Sequence, residues 1–141
     1  MLAQDYQNLV YGLKQIQSIY DDMLVMVKDE CRIINEGSDL NLLLESGSRK
    51  LTCMQRIAQI DASLAELKAQ WQATIPQPRR GADQVGQLLN GISIRLRDLL
   101  NQDSDNGQKL GKLAGKKSKR KLARSAQRVA AAYKESAGIT T

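Results

Sequence analysis

The chain has 141 residues, a net charge of +6, four tyrosines and one tryptophan, and it contains neither histidine nor phenylalanine. Histidine is the most common general base and metal ligand, and Cys31 and Cys53 are too few for a zinc site or a disulfide framework. We therefore expect a non-enzymatic protein without a cofactor, whose elongated body is held by Leu, Ile, Val and Met along helix seams.

The first predicted element is a long helix over residues 4–36. Its apolar residues recur at alternating spacings of three and four, which is the pattern of a heptad seam. The seam consists of Tyr6, Leu9, Leu13, Ile16, Tyr20, Met23 and Val27. Gly37 can close this helix in a left-handed conformation, and Ser38 and Asp39 offer side-chain oxygens that can cap the next one. The carboxylates assigned to the solvated face are Asp21, Asp22, Asp29, Glu30 and Glu36.

A second helix is predicted from Leu40 to Trp71. Its apolar positions are Leu40, Leu43, Leu44, Leu51, Met54, Ile57, Leu64, Leu67 and Trp71. The turn before it is so short that the two helices should be antiparallel neighbours, each covering the apolar face of the other. Residues 1–72 are therefore predicted to form an antiparallel helical hairpin.

The hairpin is followed by a predicted linker over residues 73–83, which is expected to be extended and exposed because it contains two prolines and a glycine. Asp83 can then cap a third helix over residues 84–105 that packs along the hairpin. The seam of this helix is Val85, Leu89, Ile92, Leu96 and Leu99. The apolar pattern breaks at the next two seam positions, Asp103 and Asn106.

Residues 106–141 differ in kind from the rest of the chain. They contain ten Lys or Arg residues and one acid, a net charge of +9, whereas residues 1–105 have a net charge of −3. Gly107, Gly111 and Gly115 recur every four residues, which either lowers helix stability, the interpretation favoured here, or permits close helix contact. We predict a loosely attached basic helix that is completed by a binding partner.

The basic cluster from Lys109 to Arg128 has three interpretations: a solvated tail, a phosphate-binding surface for nucleic acid, or a surface for a protein partner. Residues 72–132 contain no aromatic side chain that could stack on bases, which argues against specific nucleic-acid recognition. Residues 1–6 lack the features of a signal peptide, and no stretch approaches the ~18 apolar residues that span a bilayer. We expect a cytoplasmic protein without a membrane span, and its sequence does not distinguish a monomer from a homodimer.

Three groups of residues in this chain resemble sequence patterns of the FlgN family of flagellar export chaperones. The first combines a glutamate late in helix one, a Gly-x-Asp turn, a group of leucines and a Lys-Leu pair. It comprises Glu30, Gly37, Asp39, Leu42, Leu43, Leu44, Lys50, Leu51 and Ile57. The second group is Leu99, Leu100, Asp103, Asn106 and Leu110, and the third is Ala131, Ala132 and Tyr133.

The resemblance implies a protein that binds hook–filament junction subunits, prevents their premature assembly and delivers them to the export apparatus. It also implies that the C-terminal helix engages an amphipathic terminal segment of the client. The candidate client contacts are Leu110, Leu113, Lys116, Lys119, Arg120, Leu122, Arg124, Val129 and Tyr133. The alternatives are a generic coiled-coil or oligomerisation module and a basic architectural nucleic-acid-binding protein.

Overall fold

The computed structural model describes residues 1–37, 39–113, 127, 128 and 131. This part of the chain forms four α-helices and no strand: α1 (Ala3–Asn35), α2 (Leu40–Thr74), α3 (Gln77–Arg80) and α4 (Gln84–Leu113). The predicted all-α class is confirmed. Within the same residues, none of the helices carries an apolar stretch long enough to cross a bilayer. The predicted basic C-terminal helix lies almost wholly outside the described residues.

The turn between α1 and α2 makes the two helices antiparallel, as predicted. Gly37 has a φ of 129°, a left-handed conformation that glycine adopts without strain. Asp39 caps α2, because its carboxylate accepts hydrogen bonds from the backbone N–H groups of Asn41 (3.0 Å) and Leu42 (3.3 Å).

Helix α1 is central to the bundle. It packs against both α2 and α4, whereas α2 and α4 contact each other far less. The predicted seam of α1 is buried in the core from Leu9 to Val27, and Tyr6 is partly buried against it. The other helices contribute Met54, Ile57, Leu64 and Trp71 from α2, and Val85, Leu88, Ile92, Leu96 and Leu99 from α4.

Helix α4 runs parallel to α1. At one end of the bundle the Tyr6 hydroxyl donates to Asp83, and towards the other end Asn106 Nδ2 donates to the backbone oxygen of Val27. The residue numbers in these two contacts differ by 77 and 79, so the two helices keep one register along their length. The end at which α1 stops and α2 begins, beside the last described turns of α4, is called the hairpin-turn end below.

The linker differs from its prediction. Helix α2 continues to Thr74, and the segment after it contains the short helix α3 instead of being extended throughout. Pro78 lies in the first turn of α3, where a backbone N–H has no helical partner, so proline is tolerated there. Arg80 holds the segment back onto α2 by donating to the carbonyl oxygens of Gln72 (2.8 Å) and Ile75 (3.0 Å).

The third long helix is also longer than predicted, because α4 continues past residue 105 to Leu113. The predicted boundary rested on the loss of apolar character at Asp103 and Asn106. Both residues are buried, with relative exposures of 4% and 3%, and both make hydrogen bonds inside the bundle. A polar seam position that finds a partner does not interrupt the packing of a helix.

Asp83 joins three helices at the end opposite the hairpin turn. Its carboxylate accepts hydrogen bonds from the Tyr6 hydroxyl of α1 (3.0 Å), the Trp71 indole N–H of α2 (2.8 Å) and the backbone N–H of Val85 (3.0 Å). The last of these bonds is the predicted helix cap. Asp83 therefore fixes where α4 begins relative to the two helices of the hairpin.

Replacing Asp83 by Ala should lower the free energy of unfolding by about 3 kcal/mol, because it removes the cap and leaves two side-chain donors without their acceptor. Asp39→Ala is the matched control, since Asp39 is an exposed cap that bonds only to its own helix, and it should cost about 1 kcal/mol. Urea unfolding followed by circular dichroism measures both values. Equal losses for the two variants would contradict the role given to Asp83.

Tyr20 makes the stability of the protein sensitive to alkali. Its side chain is fully buried, and its hydroxyl has no hydrogen-bond partner in the described part of the chain. Burial, and to a smaller extent the negative charge of Asp61, raise the pKa of Tyr20 from 10.0 to about 12. Because the pKa in the folded protein is above the unfolded value, the stabilisation is complete below pH 10 and is lost as the pH rises towards 12.

We expect the wild type to lose roughly 2 kcal/mol more stability than Tyr20→Phe over this pH interval. At neutral pH the variant should equal the wild type or exceed it by up to about 1 kcal/mol, because it removes an unbonded buried hydroxyl. Urea unfolding at a series of pH values tests both statements. A variant that loses as much stability as the wild type between pH 10 and 12 would show that another group titrates there.

Candidate functional site

Three buried charged side chains, one from each long helix, meet near the hairpin-turn end. Lys50 Nζ of α2 lies 2.8 Å from Glu30 Oε1 of α1 and 2.9 Å from Asp103 Oδ1 of α4. The side chains of Lys50, Glu30 and Asp103 have relative exposures of only 5%, 8% and 5%, respectively. Glu30 also accepts a hydrogen bond of 2.7 Å from the Ser46 hydroxyl. We call Glu30, Lys50 and Asp103 the ion cluster.

The ion cluster restricts how the helices can pack. Removing a charged group from water costs several kcal/mol, and only well-placed opposite charges offset that cost. If α2 or α4 moved along α1 by one turn, at least one charge would stay buried without its partner. The cluster therefore favours one register of the three helices more than it adds to overall stability.

Beyond the ion cluster, the last turns of α4 remain close to α1. The bond from Asn106 to the Val27 carbonyl measures 2.9 Å, and Lys109 Nζ lies 3.3 Å from Cys31 Sγ one turn later. Gly107 and Gly111 are buried between and beyond these contacts. Their burial inside a continuous helix supports the second interpretation of the glycines at positions 107 and 111, namely that they permit close helix contact. The favoured interpretation had been a loss of helix stability. Gly115 lies outside the described residues.

Large apolar side chains are exposed at the hairpin-turn end. Leu40, Leu42, Leu44 and Leu51 in the first turns of α2 have relative exposures of 53%, 46%, 63% and 48%, and Leu113 at the end of α4 has 66%. Leu40, Leu44 and Leu51 were predicted to belong to the apolar stripe that covers α1, and that prediction is wrong. The core-facing positions of these turns are occupied by Leu43, Ser46 and Lys50. At 100° per residue, Leu40, Leu44 and Leu51 share one side of α2, and Leu42 lies on the opposite side.

The structure describes only two of the predicted client contacts. Leu110 is partly buried, whereas Leu113 projects from the last described turn of α4. Both lie at the hairpin-turn end, on the same stretch of α4 as Lys109. The other predicted contacts lie outside the described residues: Lys116, Lys119, Arg120, Leu122, Arg124, Val129 and Tyr133.

The ion cluster was not among the predicted features of the chain. Glu30 was assigned to a solvated face, but it is buried with a relative exposure of 6%. A signal was present, because Glu30, Lys50 and Asp103 each occupy a seam position of a different helix. Two acids and one base at seam positions can neutralise one another when the helices pack together. Periodicity alone assigns each residue to a face of its own helix and does not reveal such pairs.

Two thiols are the remaining candidate reactive groups in the described part of the chain. Cys31 and Cys53 are unbridged and partly buried, and burial raises the pKa of the Cys53 thiol, so Cys53 stays protonated at neutral pH. Among the described residues, no group of three or more His, Cys, Asp or Glu side chains is placed to hold a metal ion. What this end of the bundle offers a partner is an apolar surface above a rigid polar cluster.

No family model, no curated protein and no solved structure matches this chain. The likeness to the FlgN family therefore depends on the residues quoted above.

Lys50→Met should lower the free energy of unfolding by about 3–5 kcal/mol, because it leaves the two carboxylates buried without their shared cation. Arg49→Met, one residue earlier in α2, is the matched control. Arg49 pairs with Glu45 at 3.4 Å on the exposed surface, so its loss should cost less than about 1 kcal/mol. Chemical unfolding of the two variants measures the difference.

The cost of Lys50→Met should shrink when both acids are also neutralised, as in Glu30→Gln, Lys50→Met and Asp103→Asn together. Recovery of more than half of the loss is expected, because no buried charge then remains at the cluster. If the triple variant were less stable than Lys50→Met alone, charge burial would not explain the destabilisation.

Proposed function

We propose that this protein is a cytoplasmic export chaperone that binds hook–filament junction subunits through the hairpin-turn end and the basic segment that follows α4. The observation that carries the proposal is the exposure of two large apolar side chains from different helices at the hairpin-turn end, Leu42 (46%) and Leu113 (66%). The protein acts by stoichiometric binding, without a cofactor or turnover.

An exposed group of leucines suits a helical partner. Amphipathic helices bind proteins by laying apolar side chains, spaced three and four residues apart, against an apolar surface. Leu42 and Leu113 come from two different helices that meet at this end, so together they offer contacts to a partner that lies across the bundle rather than along one helix. Exposed apolar surface of this kind is typical of protein interaction sites.

The distribution of charge in the sequence also supports the hairpin-turn end as the binding site. Residues 114–141 contain eight Lys or Arg residues and one acid, a net charge of +7, and they follow Leu113 directly. In the sequence this positive charge follows an exposed apolar residue, and such charge accelerates encounter with an acidic partner and adds pairs at the rim of an interface. The predicted steering residues are Lys116, Lys119, Arg120 and Arg124.

The choice of junction subunits as clients comes from the resemblance to the FlgN family. Glu30, Lys50 and Asp103 belong to the groups of residues that carry it, and they are 20 and 53 positions apart in the chain. In the folded protein they form the ion cluster, in which one side chain from each of the three long helices contacts another. A shared role for these dispersed residues supports treating them as one motif.

The test is binding of a purified hook–filament junction subunit, measured by isothermal titration calorimetry. Leu42→Lys and Leu113→Lys should each weaken binding by about tenfold, because each removes an apolar contact. Ile94→Lys is the control, since Ile94 is an exposed apolar residue of α4 away from this end, with a relative exposure of 41%. Its affinity should equal that of the wild type.

Removing the charges Lys116, Lys119 and Arg120 by Gln substitution should slow association at low salt, and the difference should vanish at high salt. Unchanged affinity in both leucine variants, or no binding of any junction subunit, would refute the proposal. Duplex DNA binding that persists at about 200 mM salt would instead favour the architectural nucleic-acid-binding alternative.

A further inference from the structure

Helix α2 carries a second line of apolar residues besides the one that faces the core. It consists of Leu40, Leu44, Gly47, Leu51, Ala58, Ala62, Ala65 and Ala69, and we call it the α2 stripe. The three leucines and the four alanines are exposed, and Gly47 is partly buried with open space where a Cβ atom would lie. No charged residue interrupts the line, and the polar residue Gln55 lies in the seven-residue gap between Leu51 and Ala58.

The α2 stripe is separate from the core. The buried positions of α2 are Lys50, Met54, Ile57, Leu64 and Trp71. At 100° per residue, the stripe is displaced from these positions by roughly 105° around the helix axis. It spans 29 residue steps, which correspond to about 44 Å of helix. A line this long and this regular is what a helix needs in order to pack against a second helix along its whole length.

The spacing of the α2 stripe is the same in both chain directions. Successive members are separated by 4, 3, 4, 7, 4, 3 and 4 residues. A line with this symmetry can be superposed on its own reverse, with the centre between Met54 and Gln55. Two copies of α2 placed antiparallel about a two-fold axis at this centre therefore bring every member of the stripe opposite another member.

The residues that become opposite are also complementary in size. The antiparallel arrangement pairs Leu40 with Ala69, Leu44 with Ala65, Gly47 with Ala62 and Leu51 with Ala58 of the other copy, and each pair occurs twice. Three of the four pairs place a leucine against an alanine and the fourth places a glycine against an alanine, so the helix axes can approach closely. A parallel arrangement would place leucine on leucine in one half and alanine on alanine in the other.

Gln55 adds a reason for this register. It lies within one residue of the proposed two-fold axis, where the side-chain amides of the two copies can donate to and accept from each other. A single polar pair inside an apolar helix contact is a known means of fixing register and orientation.

We propose that α2 forms an antiparallel homodimer through the α2 stripe, with the two-fold axis between Met54 and Gln55. A second copy fits the stripe better than a lipid surface does, because the flanking positions are mostly uncharged and lack the lysines and arginines of a membrane-surface helix. These flanking residues are Asn41, Ser48, Thr52, Gln59, Ser63 and Glu66. The dimer covers Leu40, Leu44 and Leu51 but leaves Leu42, on the opposite side of α2, and Leu113 of α4 exposed, so the inference does not depend on the proposed function.

The size of the contact sets the strength of the dimer. A stripe about 44 Å long and about 10 Å wide buries roughly 900 Å² in total when two copies meet. This area is below that of a standard stable interface, so the dimer should be weak, with a dissociation constant on the order of 10–100 µM. It differs in this respect from the tight oligomer of a dedicated coiled-coil module.

Sedimentation velocity of the full chain between about 1 µM and about 300 µM tests the proposal. The wild type should shift from monomer to dimer, and Ala58→Lys should raise the dissociation constant at least about tenfold, because position 58 faces Leu51 of the other copy. Val25→Lys is the matched control, since Val25 is an exposed apolar residue of α1 with a relative exposure of 67%. Circular dichroism should show unchanged helicity in both variants. A wild type that stays monomeric, or an Ala58→Lys variant that dimerises like Val25→Lys, would overturn the proposal.

Crosslinking determines the orientation of the two helices. In a Cys31→Ser, Cys53→Ala background, Gln55→Cys should be joined to itself by a short bismaleimide, because its two copies are about 1.5 Å apart along the axis. Ala69→Cys should not be joined, because its two copies are about 43 Å apart along the axis. Equal crosslinking of both variants would indicate a parallel dimer, and crosslinking of neither would indicate that the stripe is not the interface; either result contradicts the assignment.

Discussion

The interaction on which the rest of this structure depends is the contact of the Lys50 ammonium group with the carboxylates of Glu30 and Asp103. A buried cation must stay next to its counter-ions, since each unpaired charge in the interior costs several kcal/mol. This requirement fixes α2 and α4 on α1 in one register. It also commits the core-facing positions at the start of α2 to Ser46 and Lys50, so the leucines of the same turns are left on the outside. The exposed apolar surface is thus a consequence of the polar cluster beneath it.

The two ends of the bundle use polar groups differently. At one end Asp83 gathers donors from the three long helices around a single acceptor, and the apolar side chains nearby, such as Trp71 and Val85, are buried. At the hairpin-turn end the ion cluster and the Asn106 bond hold the backbone of three helices, but apolar side chains project beyond them. Between the two ends runs the apolar seam of α1. The two ends therefore differ in the polar group that joins the helices, a shared acceptor at one end and an ion cluster at the other.

Much of the fold could be predicted from the sequence because its strongest signals are local. The seam of α1, the short turn at Gly37 and the caps at Asp39 and Asp83 each depend on a few neighbouring residues, and each was placed correctly. The pairing of Glu30 with Lys50 and Asp103 depends on residues from three helices, and periodicity within one helix cannot reveal it. For the same reason the end of α4 was placed too early, since Asp103 and Asn106 interrupt the apolar pattern and their hydrogen-bond partners lie on other helices.

The candidate site was harder to predict, because α2 carries two apolar lines and the sequence alone does not decide which of them faces α1. Leu40, Leu44 and Leu51 fit one line, and Met54, Ile57 and Leu64 fit the other. Packing around Lys50 decides between them. Of the predicted client contacts, the described residues include only Leu110 and Leu113, so the basic segment keeps the status of a prediction from composition and resemblance.

The parallel course of α1 and α4 has an electrostatic consequence. Peptide dipoles add along a helix and leave about half a negative charge at its carboxyl end and half a positive charge at its amino end. Of the three long helices, α1 and α4 begin together at the end opposite the hairpin turn and only α2 finishes there, so the backbone N–H groups make that end a region of positive potential. Asp5, in the first turn of α1, and Asp83, which caps α4, lie where that potential favours an anion. The carboxylate that joins the three helices is thus stabilised by the backbone dipoles of two helices as well as by its hydrogen bonds.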